Sequence, residues 1–491
     1  MDDRPIPRFW WLKRLTALTL VLIVSVVSFH VWLGWYVERQ RLALIEEWRG
    51  DGLPHPDDLA RITGVAPDTG NNPAVLINAA AASMPDMTAA QKEHVRSGFD
   101  TVYERRARAA DADFGSTFAE QLNLLSEAAL ATEEADFGMP LFNRDVADSS
   151  LGAHRQLSML LGYDADARLH AGDSLGAIRR LVEVTHLGEA AQHLGYGILA
   201  DAVGFGVEAW AAALAVELIA YPIDASQPLD AWAAAEPEVR NLIARLLIDR
   251  KARASKALAV DRVEVIMQAA ETSSPSTWRE RWMTERLRTT SLLHKARLAS
   301  VTSPLLAQAE TFPDARRLAE AIGVDSLKER RRPATLAGCL FNGGRRTAIQ
   351  GAYRWMARGH FVTTAQHRLT ATALAIKLYQ ADHDGRLPNT LEDLVPGYLP
   401  DVPIDPFADG SQPIGYRPDA LIPLVYSVWE DGIDQGGSQR RQGDRTWFGP
   451  VNKWRTLDRV VPLEASPDPD VDPWTYLFDG GRRAQAINPQ R

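Results

Sequence analysis

The chain has 491 residues, of which 46% are hydrophobic and 24% are charged, so it has a globular composition and room for more than one domain. Its formal net charge of −9 argues against a nucleic-acid-binding protein, because affinity for nucleic acid depends on a basic surface. The one cysteine, Cys339, excludes an internal disulfide and a cysteine metal cluster, and its apolar neighbours favour a buried thiol.

An uncharged stretch near the N-terminus predicts a transmembrane helix over residues 15–37. About 20 apolar residues are enough to span a bilayer as a helix. Aromatic rings, which favour the membrane–water interface, lie at both ends of the stretch. They belong to Trp10, Trp11, Trp32, Trp35 and Tyr36. A cleaved signal peptide is the alternative interpretation, but the stretch is long for one and no small-x-small cleavage pattern follows it.

The charges on the two sides of this stretch predict the orientation of the chain. The cytoplasmic side of a membrane protein carries an excess of Lys and Arg. Residues 1–14 contain Arg4, Arg8, Lys13 and Arg14, whereas glutamates offset the arginines that follow residue 37. We therefore expect residues 1–14 to form a cytoplasmic tail. The predicted protein is a single-pass protein of the inner membrane, with its bulk in the periplasm or envelope space.

Residues 38–340 predict a helical envelope-facing domain. Apolar residues recur at helical spacing most clearly over residues 150–221, where two stripes indicate two consecutive helices. Further helices are predicted over residues 38–50, 71–82, 87–110, 229–270, 278–302 and 312–322. No segment recurs at a fixed period, so the pattern is typical of an irregular helical array rather than a solenoid.

Two histidines in this region are candidate metal ligands. His186 and His193 lie seven residues apart on helical sequence, with Glu183 and Glu189 nearby, and two histidines and a glutamate can bind zinc. No third histidine stands at a metal-ligand spacing, so ordinary partly buried histidines are the favoured interpretation. The sequence contains no H-E-x-x-H, G-x-S-x-G or phosphate-loop motif.

Residues 341–447 predict a small α+β module. A long helical pattern over residues 345–380 ends at an Asp-Gly pair, because glycine can take the left-handed conformation that closes a helix. Residues 391–395 predict one helical turn, with Asn389 or Thr390 as its cap. Two apolar runs then predict the strands of a β-hairpin. These runs are Ile414–Tyr416 and Val425–Val428.

The order of motifs in residues 364–447 resembles that of a known protein module. After a helix, the motifs are G-R-L-P, L-x-x-L, Y-L-P, D-P-F, G-Y-R, Y-S, D-G and G-G. This order is similar to the globular domain of the major pseudopilin of type II secretion systems, and to the C-terminal region of a group of membrane-anchored bacterial proteins of the planctomycete type. The resemblance implies a small sheet on a long helix and a link to a secretion-type assembly.

The resemblance also implies a calcium ion in the loop after the second strand. Matched residue by residue, Val428 and Ile433 correspond to ligands through backbone carbonyls, and Asp431 and Asp444 to carboxylate ligands. Calcium takes six to eight oxygen ligands from a flexible loop, yet residues 435–443 include two arginines. The alternative interpretation is a simple Asp-Gly turn at the same place, chosen for its backbone geometry.

These patterns predict a mainly α protein with an N-terminal transmembrane helix, an irregular helical array and a small C-terminal α+β module. Residues 448–491, rich in Pro and Asp, are expected to form an irregular tail. The expected function is a non-enzymatic interaction or structural role in the envelope, with the membrane and other envelope or secretion-type proteins as partners. The alternative is an envelope hydrolase with a site made from scattered residues of the helical domain. The chain lacks the prepilin cleavage pattern, so the resemblance concerns the module and not incorporation into a pilus.

Overall fold

A computed structural model describes the chain in segments. The described residues are 9–50, 71–91, 114–131, 135, 137, 144–192, 198–220, 229–248, 308–321, 346–429, 432–437 and 458–464. They belong to two compact units. The first unit includes residues 1–61, and the second includes residues 62–260, 302–330 and 350–491.

Helix α1 of the first unit runs without a break over Trp10–Gly50. Its 41 residues make it about 61 Å long at about 1.5 Å per residue. The stretch Trp10–Phe29 has a mean hydropathy of 1.9, and none of it is buried. Among the described residues, α1 is the one helix that is long and apolar enough to cross a membrane. The predicted continuation of the helix through residues 38–50 is confirmed.

Helices build most of the second unit. They are α2 (Pro73–Ala82), α3 (Phe114–Thr117), α4 (Ala119–Leu130), α5 (Arg144–His170), α6 (Ser174–Gln192), α7 (Ile198–Ala220), α8 (Leu229–Ala234), α9 (Glu236–Leu246), α10 (Phe312–Ala321) and α11 (Arg346–Asp382). The mainly helical fold is therefore confirmed. The helix predicted over residues 278–302 lies outside the described residues, as does all but the start of the one over 87–110.

A short link joins the long helices α5 and α6. Gly172 has a φ of +83°, a conformation that glycine adopts without steric cost. The Asp173 carboxylate then accepts a hydrogen bond from the Gly176 amide at 2.9 Å, which satisfies a donor in the first turn of α6. Across the two helices, the Arg180 guanidinium donates to the buried Asp164 carboxylate at 2.6 Å. The two helical stripes predicted from the sequence are α6 and α7, and the link predicted between them near residues 195–197 lies outside the described residues.

Helix α11 ends at the Asp-Gly pair, as predicted. Asp384 and Gly385 both have positive φ values, 52° and 80°. The Gly385 amide donates to the Gln380 carbonyl at 2.8 Å, which satisfies one of the carbonyls left open at a helix C-terminus. Aspartate tolerates this left-handed conformation better than most residues because its short side chain can bond locally.

A 3₁₀ helix at Leu391–Leu394 follows, as predicted, with Thr390 as its N-cap residue. The Asp393 carboxylate accepts the amide of Thr390 at 3.1 Å and that of Asn389 at 2.8 Å. This arrangement satisfies amides that have no partner within the helix. Leu391 and Leu394 are both buried, so the turn is fixed to the core through its apolar side.

Three strands form one antiparallel sheet in the order β1-β2-β3. They are β1 (Gly415–Arg417), β2 (Leu424–Ser427) and β3 (Arg459–Pro462). Tyr416 pairs with Val425, and Val425 pairs with Val461 on its other side. The predicted hairpin is confirmed. All four residues of the central strand β2 are buried.

Strand β3 comes from the region that was predicted to be an irregular tail, and that prediction is wrong for Arg459–Pro462. Val460 and Val461 are buried, and the Leu463 amide donates to the Pro423 carbonyl at 2.8 Å. Burial of this apolar run against β2 outweighs the surrounding Asp and Pro residues, which favour irregular backbone.

One hydrophobic core joins the helical array to the C-terminal module. Its buried members include Ile178 of α6, Leu218 of α7, Leu242 of α9, Leu374 of α11, Leu394 of the 3₁₀ helix, and Val425 and Val461 of the sheet. The core therefore runs across the boundary predicted between residues 340 and 341. Each fully buried aliphatic side chain contributes about 1.5–3 kcal/mol, so the module and the array stabilise each other.

Candidate functional site

The loop predicted to bind calcium lies only partly within the described residues. Val428 is buried and Ile433 is 61% exposed, while Asp431 and Asp444 lie outside the described part of the chain. The Gly432 amide donates to the Trp429 carbonyl at 3.1 Å. Among the described residues, no group of three or more His, Cys, Asp or Glu could hold a metal ion. The calcium site stays a prediction.

A buried carboxylate fixes the start of this loop. Asp405, of the D-P-F motif, accepts hydrogen bonds from the Phe407 amide at 2.9 Å and from the Ser427 hydroxyl at 2.7 Å through one oxygen. Its other oxygen accepts the Val428 amide at 2.7 Å. These four residues form the Asp405 cluster. Burial raises the pKa of Asp405, although these three hydrogen bonds act in the opposite direction.

The residue after this cluster has a strained backbone. Trp429 has a φ of +58°, a left-handed conformation that is an outlier for a bulky residue. Its amide donates to the Ser427 hydroxyl at 3.2 Å, and its ring lies 5.0 Å from that of Phe407, between centroids. Phe407 in turn packs 5.3 Å from Phe312 of α10. Such strain persists only where the surroundings determine the conformation, so the start of the loop is rigid.

Two further carboxylates shape the end of the loop. The Gly436 amide donates to Asp434 at 2.8 Å, and the Gly437 amide donates to Asp458 at 2.9 Å. The Tyr426 hydroxyl also donates to Asp434, at 3.3 Å. Burial and the two nearby carboxylates raise the pKa of Tyr426 to about 12. Neither carboxylate was predicted to have a role in the loop, although the D-Q-G-G order of Asp434 is typical of an Asx turn.

A second buried contact lies where α7 of the helical array meets α11 of the C-terminal module. Glu208 of α7 is 0% exposed and His367 of α11 is 1% exposed. The distance between Glu208 Oε2 and His367 Nε2 is 3.9 Å, which is an ion-pair distance when the imidazole is protonated. Charged groups are seldom fully buried unless they are paired. Both side chains are buried, so the pair is a contact between two helices within the core.

His367 belongs to a polar stripe on one face of α11. His360, Thr363, His367 and Thr370 are all buried, and their spacing of three and four residues keeps them on the same side of the helix. The burial of apolar surface does not explain why these four polar side chains lie in the core. Polar groups in a core can instead fix the register of one element against another. The polar stripe was not predicted, although its H-x-x-T-x-x-x-H-x-x-T spacing is present in the sequence.

Close packing of α6 on α7 positions Glu208. A Cβ atom on Gly188 would lie 2.7 Å from Glu208 Cγ and 3.2 Å from the Gly204 carbonyl oxygen. Such distances are shorter than van der Waals contact, and the second partner is backbone that cannot rotate away. Only glycine therefore fits at position 188 without displacing one helix from the other.

We expect Gly188→Ala to lower the free energy of unfolding by about 1–3 kcal/mol, because the added methyl group overpacks the contact. Urea denaturation of the full-length protein in mild detergent, followed by circular dichroism, measures the change. Gly206→Ala on α7 is the matched control: nothing lies within 4 Å of its Cβ position, so it should be neutral or stabilising by up to about 1 kcal/mol. Equal effects of the two substitutions would contradict the packing argument.

The histidine and glutamates proposed as zinc ligands contact arginines. Nη1 of Arg245 lies 3.1 Å from His186 Nδ1 and donates to Glu189 at 3.3 Å. Glu183 instead accepts from Arg180 at 2.6 Å. A guanidinium therefore lies beside each of these carboxylates, where a cationic metal would be repelled. The partner histidine, His193, lies outside the described residues.

A half-buried lysine on α11 gives the protein a pH-dependent stability. Burial lowers the pKa of Lys377 to about 8, and the charge of Glu464 offsets only part of the effect. Between pH 8 and the ordinary lysine pKa, the unfolded chain binds more protons than the folded one. The free energy of unfolding therefore rises with pH across this window.

We expect the free energy of unfolding to rise by roughly 2 kcal/mol from pH 8 to pH 10, at about 1.4 kcal/mol for each unit of pKa difference. Lys377→Met should remove most of the rise and stabilise the protein at pH 7, while buried Arg459, whose pKa burial lowers to about 10, retains a smaller rise near pH 10. Above pH 10, buried tyrosines act in the opposite direction, because the folded state raises their pKa. Urea denaturation at each pH measures the free energy of unfolding of both proteins. If this free energy rose as steeply with pH in Lys377→Met as in the unsubstituted protein, the role of Lys377 would be contradicted.

Comparison with known proteins gave no match to any protein-family model, curated protein or solved structure. The resemblance to the pseudopilin module therefore rests on the order of motifs in residues 364–447. A long helix, a helical turn and a hairpin are present in this region. Such elements occur in many small α+β modules, and a fold by itself does not identify a function.

Proposed function

We propose that the chain is a single-pass membrane protein whose envelope-facing part has a non-enzymatic interaction or structural role. The observation that carries this proposal is α1, whose apolar stretch Trp10–Phe29 has none of its residues buried. Such a surface is unfavourable in water and favourable in a bilayer. The four basic residues before residue 15 support an inner-membrane location with the N-terminus in the cytoplasm.

Single-cysteine labelling in spheroplasts tests the membrane topology. Cys339→Ser removes the one native thiol, and a cysteine is then placed at Asp2 or at Leu421, which is 75% exposed. A membrane-impermeant maleimide should label Leu421→Cys in intact spheroplasts but Asp2→Cys only after they are permeabilised. The reverse pattern would contradict the orientation, and labelling of both would contradict a single crossing.

The proposed partners are other envelope proteins of a secretion-type assembly. The motif order of residues 364–447 supports this part of the proposal. Crosslinking in the native membrane, purification in mild detergent and identification of the co-purifying proteins provide the test. Pilin-like or secretion-platform proteins should be enriched over a control that consists of residues 1–50. Equal recovery with that control would contradict the link to secretion.

A calcium ion bound by the loop that contains Asp431 is the proposed cofactor. Carboxylate and carbonyl oxygens are the ligands that calcium prefers. Calcium, but not magnesium, should raise the thermal unfolding temperature of the full-length protein, and Asp431→Asn should abolish the increase. An increase that survives this substitution would assign the ion to another place.

A further inference from the structure

Two Trp–Arg pairs mark the ends of the apolar part of α1. The guanidinium carbon of Arg14 lies 3.8 Å from the centroid of the Trp10 ring, and that of Arg39 lies 5.3 Å from the Trp35 ring. The helix rises about 37 Å from Trp10 to Trp35. This length falls between the hydrocarbon thickness of about 30 Å and the full bilayer thickness of about 40–45 Å. In a membrane that α1 spans, both pairs lie at the level of the lipid headgroups.

The two pairs differ in the direction of the arginine. Side chains on an α-helix lean toward the helix N-terminus. Arg14 therefore leans away from the centre of the bilayer and reaches Trp10 at the headgroup level, as a snorkelling cation does. Arg39 leans toward the bilayer and lies back over Trp35. Only the first pair places its cation outward, among lipid phosphates.

The charges around the two pairs also differ. Residues 1–14 carry four basic residues and two acidic ones, Asp2 and Asp3. Residues 38–49 carry three arginines and three glutamates. The N-terminal end of α1 is therefore the basic end, in a chain whose net charge is −9. Lys and Arg near a membrane surface are each attracted to anionic lipid by about 1 kcal/mol.

We propose that Trp10, Trp11, Lys13 and Arg14, which we term the N-terminal collar, bind the phosphate groups of anionic phospholipids. Stacking on Trp10 occupies the flat face of the Arg14 guanidinium, while its N–H groups lie at the edge in the fork that grips a phosphate through two hydrogen bonds. Trp10 and Trp11 are 44% and 60% exposed and anchor the collar at the interface. This inference rests on the proposed membrane span of α1.

The test uses the full-length protein in nanodiscs of phosphatidylcholine with a minor fraction of phosphatidylglycerol. After release into mild detergent, native mass spectrometry counts the lipids of each kind that remain bound. Phosphatidylglycerol should be enriched over its bulk fraction. The double substitution Lys13→Gln and Arg14→Gln should reduce the enrichment by at least fivefold, since about 1 kcal/mol per charge corresponds to about fivefold.

The matched control is the double substitution Arg39→Gln and Arg41→Gln, which removes the same charge from the other end and should leave the enrichment unchanged. Equal binding of the two lipids, or an equal loss in both double variants, would overturn the proposal. Resistance to alkaline carbonate extraction is measured on the cell membranes from which the protein is purified. A chain that resists extraction but shows no lipid preference contradicts the collar alone. A chain that is extracted contradicts the membrane span as well.

Discussion

Asp405→Ala is expected to lower the free energy of unfolding by about 3–4 kcal/mol. The substitution leaves the Phe407 and Val428 amides and the Ser427 hydroxyl without their acceptor in a buried place. Each buried donor that loses its partner costs about 1–3 kcal/mol, and water entering the space left by the carboxylate offsets part of the total. Urea denaturation of the full-length protein in mild detergent measures the loss.

Two control substitutions make this result specific to the Asp405 cluster. Asp401 is exposed, so Asp401→Ala should change the free energy of unfolding by no more than about 0.5 kcal/mol. Asp405→Asn keeps one acceptor oxygen and loses the charge, so its cost should be intermediate, because hydrogen bonds to ionised acceptors are the stronger ones. If Asp405→Ala behaved like Asp401→Ala, the cluster would not stabilise the start of the loop.

Leu374→Ala is expected to cost about 3–4 kcal/mol, which is typical for truncating a leucine in a closely packed core. Leu374 is 0% exposed and lies on α11 in the core shared by the helical array and the sheet. Because both parts pack on this core, the substitution should lower the stability of both together. Circular dichroism at 222 nm follows the helices, and hydrogen exchange at the amides of β2 follows the sheet.

Two separate unfolding transitions would contradict a shared core. In that case the helices would remain folded after the amides of β2 had lost their protection from hydrogen exchange. That result would instead support the domain boundary predicted at residue 340. Leu421→Ala provides the control, because this leucine is 75% exposed and its truncation should stay within about 0.5 kcal/mol. A loss as large at Leu421 would mean that the effect is not one of core packing.

The helices were predictable because their signals are local. The stripe of apolar residues in α11 recurs at a spacing of three and four, and the Asp384-Gly385 pair ends it within the same stretch of chain. Hydropathy over consecutive residues likewise predicts α1. For such elements, neighbours in the sequence supply both the pattern and its termination, so no knowledge of the rest of the fold is needed.

The elements that were missed depend on partners far away in the chain. Strand β3 carries only a short apolar run, and it forms a strand because its residues pair with those of β2. The Asp405 cluster joins residues more than 20 positions apart, and the Glu208–His367 contact joins two helices. Composition cannot distinguish an aspartate that accepts three buried hydrogen bonds from one in an exposed turn.

Local patterns in the chain were enough to predict its helical character, its apolar N-terminal helix and the ends of several elements, because periodicity and capping act over one or two turns. The core that the C-terminal module shares with the helical array, and the third strand of its sheet, could be seen only in the folded chain. The same holds for the burial of particular polar side chains. These features arise from long-range packing, in which the free energy depends on which surfaces meet rather than on which residues are adjacent.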